Sequence, residues 1–299
     1  MTQMSSIKST DDFLHSPEDK ANWRESYYFN FVDAENKASG FTTIGILPAL
    51  KRGEFIIALF YDDKQAVYYK EQNLIDEPSS NVISDGNLTY RLIEPMEKWE
   101  INAANENLNV HLAWKARFPP FDFGEGSGTS WKGHFEQSGI VEGEAALLDG
   151  RKIRINGFSQ RDKSWGARDW HIERWFALHA QFQAYAVGLR KDTVGGSSYV
   201  SGGLASAKKH VAASQVDVEM TCGEDARTPT GASTTIRYAD GKQETIVSKL
   251  VSPKSFVKFS RSFQKGTTEL FEGMAIHKST ITGEMGTGLI EFLFTYPKP

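Results

Sequence analysis

Apolar and polar residues alternate over short stretches of this chain, as in β-strands with one buried face. Tyr27, Phe29 and Phe31 alternate with Tyr28 and Asn30, so successive side chains are expected on opposite faces of a strand. Further strands are predicted at 41–46, 53–61, 66–69, 108–118 and 255–263. Long amphipathic helical patterns are scarce, and the chain is predicted to be almost entirely β.

Turn signals separate these segments at short intervals. Asp-Gly pairs at 85–86, 149–150 and 240–241 indicate hairpins, because both central positions of a tight hairpin turn require positive φ. Residues 174–189 also fit helical spacing, but the surrounding pattern favours two strands. Many short strands with glycine-rich turns are typical of sandwiches and barrels.

Charge and composition narrow the classes of function. The net charge is −4 and no basic block is present, so no nucleic-acid partner is expected. The longest apolar runs, such as 55–61, are too short to span a membrane. The N-terminus carries no apolar signal segment, which predicts a cytoplasmic protein. Cys222 is the only cysteine, which excludes an internal disulfide.

Residues 157–170 read GFSQRDKSWGARDW and concentrate opposite charges beside large aromatics. Arg161-Asp162 and Arg168-Asp169 lie seven residues apart, with Trp165 between them. Unpaired buried charge is costly, so the pattern indicates partly buried charges that satisfy one another. Arg161 and Arg168 are therefore predicted to form structural ion pairs with these aspartates.

This run, with the preceding His134-Phe135-Glu136-Gln137, resembles the signature of the double-lipocalin superfamily, in particular a bacterial branch of it. That superfamily includes carotenoid 1,2-hydratase, AttH-like proteins, kievitone hydratase and fungal cyclases of the Diels–Alderase type. The resemblance covers about residues 20–292. One departure is Lys163, where that branch often carries histidine.

The resemblance implies two antiparallel, lipocalin-like β halves packed together. We place them at 18–150 and 151–299, and we expect residues 1–17 to form a loose leader. It also implies an aromatic-lined pocket for a small hydrophobic molecule, with no cofactor. A homodimer is left open.

Four residues are predicted to be catalytic. Asp162 is the first candidate, because burial could raise its pKa and make it a general acid or base. His134 and Glu136 share a strand face at a spacing of two and could shuttle a proton. Asp169 is the fourth candidate, and its alternative is a structural ion pair with arginine.

Aromatic and polar side chains near this segment are predicted to bind the substrate. The tryptophans could stabilise a developing carbocation through their ring faces, although simple core packing is the alternative for at least two of them. The predicted substrate-binding residues are Trp131, Trp165, Trp170, Trp175, Tyr27, Gln137 and His179.

The sequence therefore predicts a cofactor-independent hydratase, isomerase or cyclase acting on a terpenoid, polyketide, steroid or aromatic compound. A non-catalytic binder of a similar ligand is the main alternative. A metal-dependent enzyme is a more distant one, because His134 with Glu136 and His171 with Glu173 repeat a spacing that also suits metal ligands. No metal is predicted.

Overall fold

A computed structural model describes residues 7–74, 81–106, 108–124, 131–147, 149–168, 172–264 and 266–298. In these ranges the chain forms β-strands and two short 3₁₀ helices, Ser9–Asp12 and Pro48–Leu50. All the strand pairings are antiparallel, and they build two sheets. No helix among these residues is long and apolar enough to cross a membrane.

The first sheet is an open half-barrel of eleven strands. Its order is β4-β3-β2-β1-β11-β10-β8-β7-β6-β5, and the short β9 pairs with β10. The strands are β1 (Trp23–Asp33), β2 (Ala38–Leu47), β3 (Arg52–Tyr61), β4 (Lys64–Asn73), β5 (Val82–Ser84), β6 (Leu88–Glu94), β7 (Lys98–Ala104), β8 (Asn109–Ala116), β9 (Phe121–Asp122), β10 (Gly133–Ala146) and β11 (Lys152–Ala167).

The second sheet closes into an eight-stranded barrel. It runs from β12 through β17, then β19 and β20, and β20 pairs back with β12, while β18 extends the sheet beside β19. Its strands are β12 (Arg174–Gln181), β13 (Ala186–Val194), β14 (Ser197–Ala205), β15 (His210–Cys222), β16 (Pro229–Tyr238), β17 (Gln243–Leu250), β18 (Phe256–Phe263), β19 (Gly266–Ser279) and β20 (Met285–Pro297). The prediction of two lipocalin-like β halves is confirmed, and residues 174–181 form a strand.

The change from the first sheet to the second lies between β11 and β12. The division placed near residue 150 falls on the β10–β11 hairpin, inside the first sheet. Asp149-Gly150 forms this turn, with Gly150 at φ +81°. The boundary was placed at this turn because a glycine in the sequence can mark either a tight turn within a hairpin or a linker between two halves.

Strand β1 is buried along its whole length, and its two faces belong to different cores. Phe29 and Phe31 pack into the apolar interior of the half-barrel. Tyr28 and Val32 pack on the opposite face against Met274 and other residues of the closed barrel. The alternation read from the sequence therefore places even-numbered β1 side chains where the two sheets meet.

The N-terminal segment is not the loose leader that was expected, as far as residues 7–17 are concerned. Asp12 is fully buried and accepts hydrogen bonds from Arg161 and from the Met96 backbone N–H. His15 stacks on Trp165 with ring centroids 3.9 Å apart. The buried Arg161 guanidinium needs a counter-charge, and this segment supplies it.

Breaking the Asp12–Arg161 pair should destabilise the fold, since Arg161 would remain buried without a compensating charge. We expect Asp12→Asn to lower the free energy of unfolding by about 3 kcal/mol, measured by urea denaturation. Asp19→Asn, at an exposed position seven residues away, is the control and should change it by less than about 0.5 kcal/mol. Equal stability of the two variants would contradict this role for Asp12.

Candidate functional site

A cavity of about 610 Å³ lies between the half-barrel and the closed barrel. A cavity of this size accommodates a drug-sized molecule. It is lined by Arg24, Ser26, Tyr28, Thr43, Glu54, Ile56, Tyr69, Glu71, Trp131, His134, Asp162, Ser164, Arg168, Trp175, Arg190, Val257, Lys258, Phe259, Ser260, Arg261, Thr268, Leu270, Glu272, Glu291 and Leu293.

The register of three central strands brings the candidate acid–base groups together. Asp162 on β11 is paired with Tyr28 on β1 and with Glu136 on β10. Ser164 is likewise paired with His134. Directly opposed residues of antiparallel strands share a face, so these side chains all point toward the closed barrel.

Asp162 has the electrostatic character of a group that exchanges protons near neutral pH. Burial, and next the charge of Glu136, raise the pKa of Asp162 to about 7. Its carboxyl forms no side-chain hydrogen bond and no ion pair within 4 Å with the residues that the structure describes. Part of its surface faces the cavity, so a bound molecule could contact it directly.

Glu136 and His179 form a buried pair beside Asp162. His179 Nε2 and Glu136 Oε1 are 3.1 Å apart, and the Asn30 amide lies 2.9 Å from His179 Nδ1. Burial alone would lower the pKa of His179, but the Glu136 carboxylate outweighs it and raises that pKa. Gly188 on β13 permits this approach, because a Cβ there would collide with Glu136.

His134 does not form the close pair with Glu136 that the sequence predicted. Its Nε2 lies 3.9 Å from Glu136 Oε1, and its ring packs between Phe123 and Trp131. Burial, and then the positive charges of Arg190 and Arg168, lower the pKa of His134 well below its usual value. The imidazole is therefore neutral, and Glu136 pairs with His179 instead.

The closed barrel contributes two carboxyl groups that the sequence analysis missed. Glu272 on β19 and Glu291 on β20 are direct neighbours in register, and burial raises the pKa of both. The Trp175 indole N–H donates a hydrogen bond to Glu291. Their signal in the sequence was a carboxylate with apolar neighbours on both sides, in LFEGM at 270–274 and LIEFL at 289–293.

Arginine side chains occupy the aromatic part of the wall. The Arg190 guanidinium carbon lies 3.9 Å from the centre of the Trp175 ring and 4.8 Å from that of Trp131. Arg168 donates a hydrogen bond to Ser164 at 2.8 Å. Arg190 also donates a hydrogen bond to the buried Asp192 carboxylate at 2.6 Å, so its charge beside these rings is largely balanced.

Several predicted site residues do not line this cavity. Tyr27, Gln137 and Trp165 lie on the opposite face of their strands, inside the half-barrel. Each is directly adjacent or an odd number of residues away from a residue of the same strand that faces the closed barrel, and successive side chains alternate between the two faces. Arg161 shares that face, so its partner is Asp12 and not Asp162. Asp169 and Trp170 lie outside the described residues.

Among the residues that the structure describes, no cluster of three or more His, Cys, Asp or Glu side chains could hold a metal ion.

The fold and the cavity define a protein of two fused lipocalin-like halves with a polar site between them. The family model described as a domain of unknown function, DUF7064, matches residues 8–295, and the chain belongs to that family. A comparison with curated protein sequences finds no match.

Solved structures share this fold at low sequence identity. A protein assigned as AttH from Nitrosomonas europaea aligns over 98% of both chains, with a TM-score of 0.73 and 13% identity. Kievitone hydratase from Nectria haematococca covers 90% of this chain and 88% of its own, with a TM-score of 0.64 and 11% identity. CghA crystallised with Sch210972 covers 93% and 89%, with a TM-score of 0.64 and 12% identity. These structures confirm the predicted double-lipocalin fold.

The raised pKa of Asp162 predicts a pH-dependent cost in stability. Its pKa is about 7 in the folded protein and 3.8 in an unfolded chain, so the folded state loses stability as pH rises from about 4 through 7. Asp162→Asn should therefore be more stable than the wild type at pH 8, by on the order of 4 kcal/mol. At pH 4 the two should be equally stable in urea denaturation.

Asp149→Asn is a control for which the opposite change in stability is expected at pH 8. The exposed Asp149 carboxyl has a lowered pKa because the Arg151 backbone and side chain donate hydrogen bonds to it. Its removal should slightly lower stability at pH 8. Identical pH profiles for the wild type and Asp162→Asn would contradict the electrostatic environment described for Asp162.

Proposed function

We propose that this protein is a cofactor-independent enzyme that moves a proton on a small hydrophobic molecule, as a hydratase, isomerase or cyclase. Asp162 is the general acid–base group. The substrate classes that suit such a cavity are terpenoids, polyketides, steroids and aromatic compounds. A cytoplasmic location belongs to the same proposal.

One observation carries this proposal: Asp162 reaches the cavity without an ion pair among the described residues, and its pKa is raised to about 7. A general acid or base works best when its pKa lies near the working pH. Glu136 acts behind it as a positioning residue, because its charge helps to raise this pKa, and His179 holds Glu136 in place from 3.1 Å away.

The comparisons support the proposal only by analogy of fold, which does not by itself assign function. One similar structure is named as a hydratase and another was crystallised with Sch210972. Both are compatible with chemistry in a cavity of this kind.

A non-catalytic binder is the second candidate. The Trp175–Glu291 and Glu136–His179 contacts favour it, because they tie acidic groups of the site into hydrogen bonds. Such a protein would retain its ligand and leave it chemically unchanged.

The test is conversion of compounds extracted from the cells that make the protein. Wild type, Asp162→Asn and the exposed control Asp217→Asn are incubated with the extract and the products are followed by mass spectrometry. A hydratase adds one water, whereas an isomerase or cyclase changes retention at constant mass. We expect Asp162→Asn to be at least about 100-fold slower than wild type, and Asp217→Asn to be unaffected.

Two other results would redirect the assignment. A compound that is bound but unaltered by every variant would favour the binder. Conversion that a metal chelator abolishes would contradict the cofactor-independent mechanism.

A further inference from the structure

Two serine residues lie side by side in the cavity wall. Ser26 on β1 and Ser164 on β11 are directly opposed in the antiparallel register, and both line the cavity. Opposed residues share a face of the sheet, with Cβ atoms about 5 Å apart. The candidate acid–base group is close to them, because Asp162 precedes Ser164 by two residues on the same face of β11.

Each of the two hydroxyls accepts a hydrogen bond from an arginine. Arg24 Nε donates to Ser26 Oγ at 2.8 Å, and Arg168 Nη2 donates to Ser164 Oγ at 2.8 Å. Arginine offers donors and no acceptor, so the direction of both bonds is fixed. Gly45 on β2 makes room for this arrangement, because a Cβ there would collide with the Arg24 guanidinium.

The hydrogen of each serine hydroxyl is therefore still to be donated. A hydroxyl can accept and donate at the same time, and no residue that the structure describes accepts a hydrogen bond from Ser26 Oγ or Ser164 Oγ. Both residues are more than nine-tenths buried, with exposed fractions of 8% and 4%. Buried donors are nearly always paired in folded proteins, so an acceptor within the cavity would complete both hydroxyls.

Arginine side chains give this part of the wall its charge. Burial, and then the charges of Arg24 and Arg190, lower the pKa of Arg168 to about 9, so Arg168 stays protonated at neutral pH. Arg24 pairs with Glu54 and Arg190 with Asp192, which balances most of the charge of those two arginines. A negative group bound beside Arg168 would relieve the repulsion that remains between the three guanidinium groups.

We propose that Ser26 and Ser164 bind a carboxylate of the substrate, so that the cavity takes a hydrophobic molecule with one acidic end. This inference rests on the proposed function, because it narrows the substrate class of the same site. A carboxylate only accepts hydrogen bonds, and bonds to a charged acceptor are the stronger ones. A hydrocarbon would leave the hydrogens of both hydroxyls without an acceptor.

The position of the serines also determines which part of such a molecule reaches Asp162. Residues two apart on a strand are separated by about 7 Å, which is the spacing of Ser164 and Asp162 along β11. The carbon that exchanges a proton with Asp162 is therefore a few bonds away from the acid carbon. The apolar remainder of the molecule meets Ile56, Phe259 and Leu270, which line the same cavity.

The test compares two probes of the same shape, the anion 2-naphthoate and the neutral 2-naphthamide. Their affinities are measured by isothermal titration calorimetry in the Asp162→Asn background, where no carboxylate at this position repels the anion. We expect 2-naphthoate to bind at least about 10-fold more tightly than 2-naphthamide. Because binding is measured without turnover, this result is independent of whether Asp162 catalyses a reaction.

Matched variants in the same background locate the effect. Ser26→Ala and Ser164→Ala should each reduce the preference for 2-naphthoate to less than about 3-fold, whereas Ser26→Thr and Ser164→Thr, which retain the hydroxyl, should keep it. Ser159→Ala is the control on β11: its hydroxyl donates to the Asn30 carbonyl, so the preference should be unchanged. If an alanine variant does not fold, the cysteine variant replaces it, because a thiol is similar in size and a weak donor.

The ratio of the two affinities separates substrate binding from a purely structural role, which would weaken both probes equally. The inference is overturned if 2-naphthamide binds as tightly as 2-naphthoate, if neither probe is retained, or if Ser26→Ala and Ser164→Ala keep the full preference. Conversion that depends on Asp162, without any preference for the anion, would overturn the carboxylate site and leave the proposed enzyme intact.

Discussion

The need to pair charge where the two sheets meet governs the arrangement of this molecule. Glu136 is buried between the sheets and is held by His179 and Gln160. Gln181 extends the same network to Ser138 and Gln160. A buried carboxylate without such partners would be too costly, so the relative position of the half-barrel and the barrel is fixed by hydrogen bonds as well as by apolar packing.

Strand alternation then divides the charges of β11 between two separate environments. Arg161 and Lys163 point into the half-barrel, where Asp12 and Glu25 neutralise them. Asp162, between them in the chain, points the other way, toward the cavity. The arginine next to Asp162 in sequence therefore cannot neutralise it, and this is why one carboxyl of an apparently balanced charge cluster keeps an elevated pKa.

The β-strands and hairpins could be predicted from the sequence because alternation and Asp-Gly turns are local signals. The resemblance carried by residues 157–170 added the prediction of two lipocalin-like halves. The same signature drew attention to Asp162, which lines the cavity. The predicted ion pair between Arg161 and Asp162 was wrong, because adjacent residues of a strand point to opposite faces of the sheet. Applying that rule to the whole motif would have placed the two side chains on different faces. Glu272 and Glu291 could not be connected to Asp162, because they reach it from strands more than 100 residues away, through packing between sheets that no local pattern encodes.

The order of the strands also has a consequence for how the chain is made. The half-barrel joins β1 to β11, with Trp23 opposite Ala167, and the barrel closes only when Arg174 meets Phe294. Each half thus depends on a contact between its first strand and one of its last, and such distant pairings fold slowly. During synthesis, β12 to β19 would leave the ribosome before their closing strand, with an unpaired edge exposed until β20 follows.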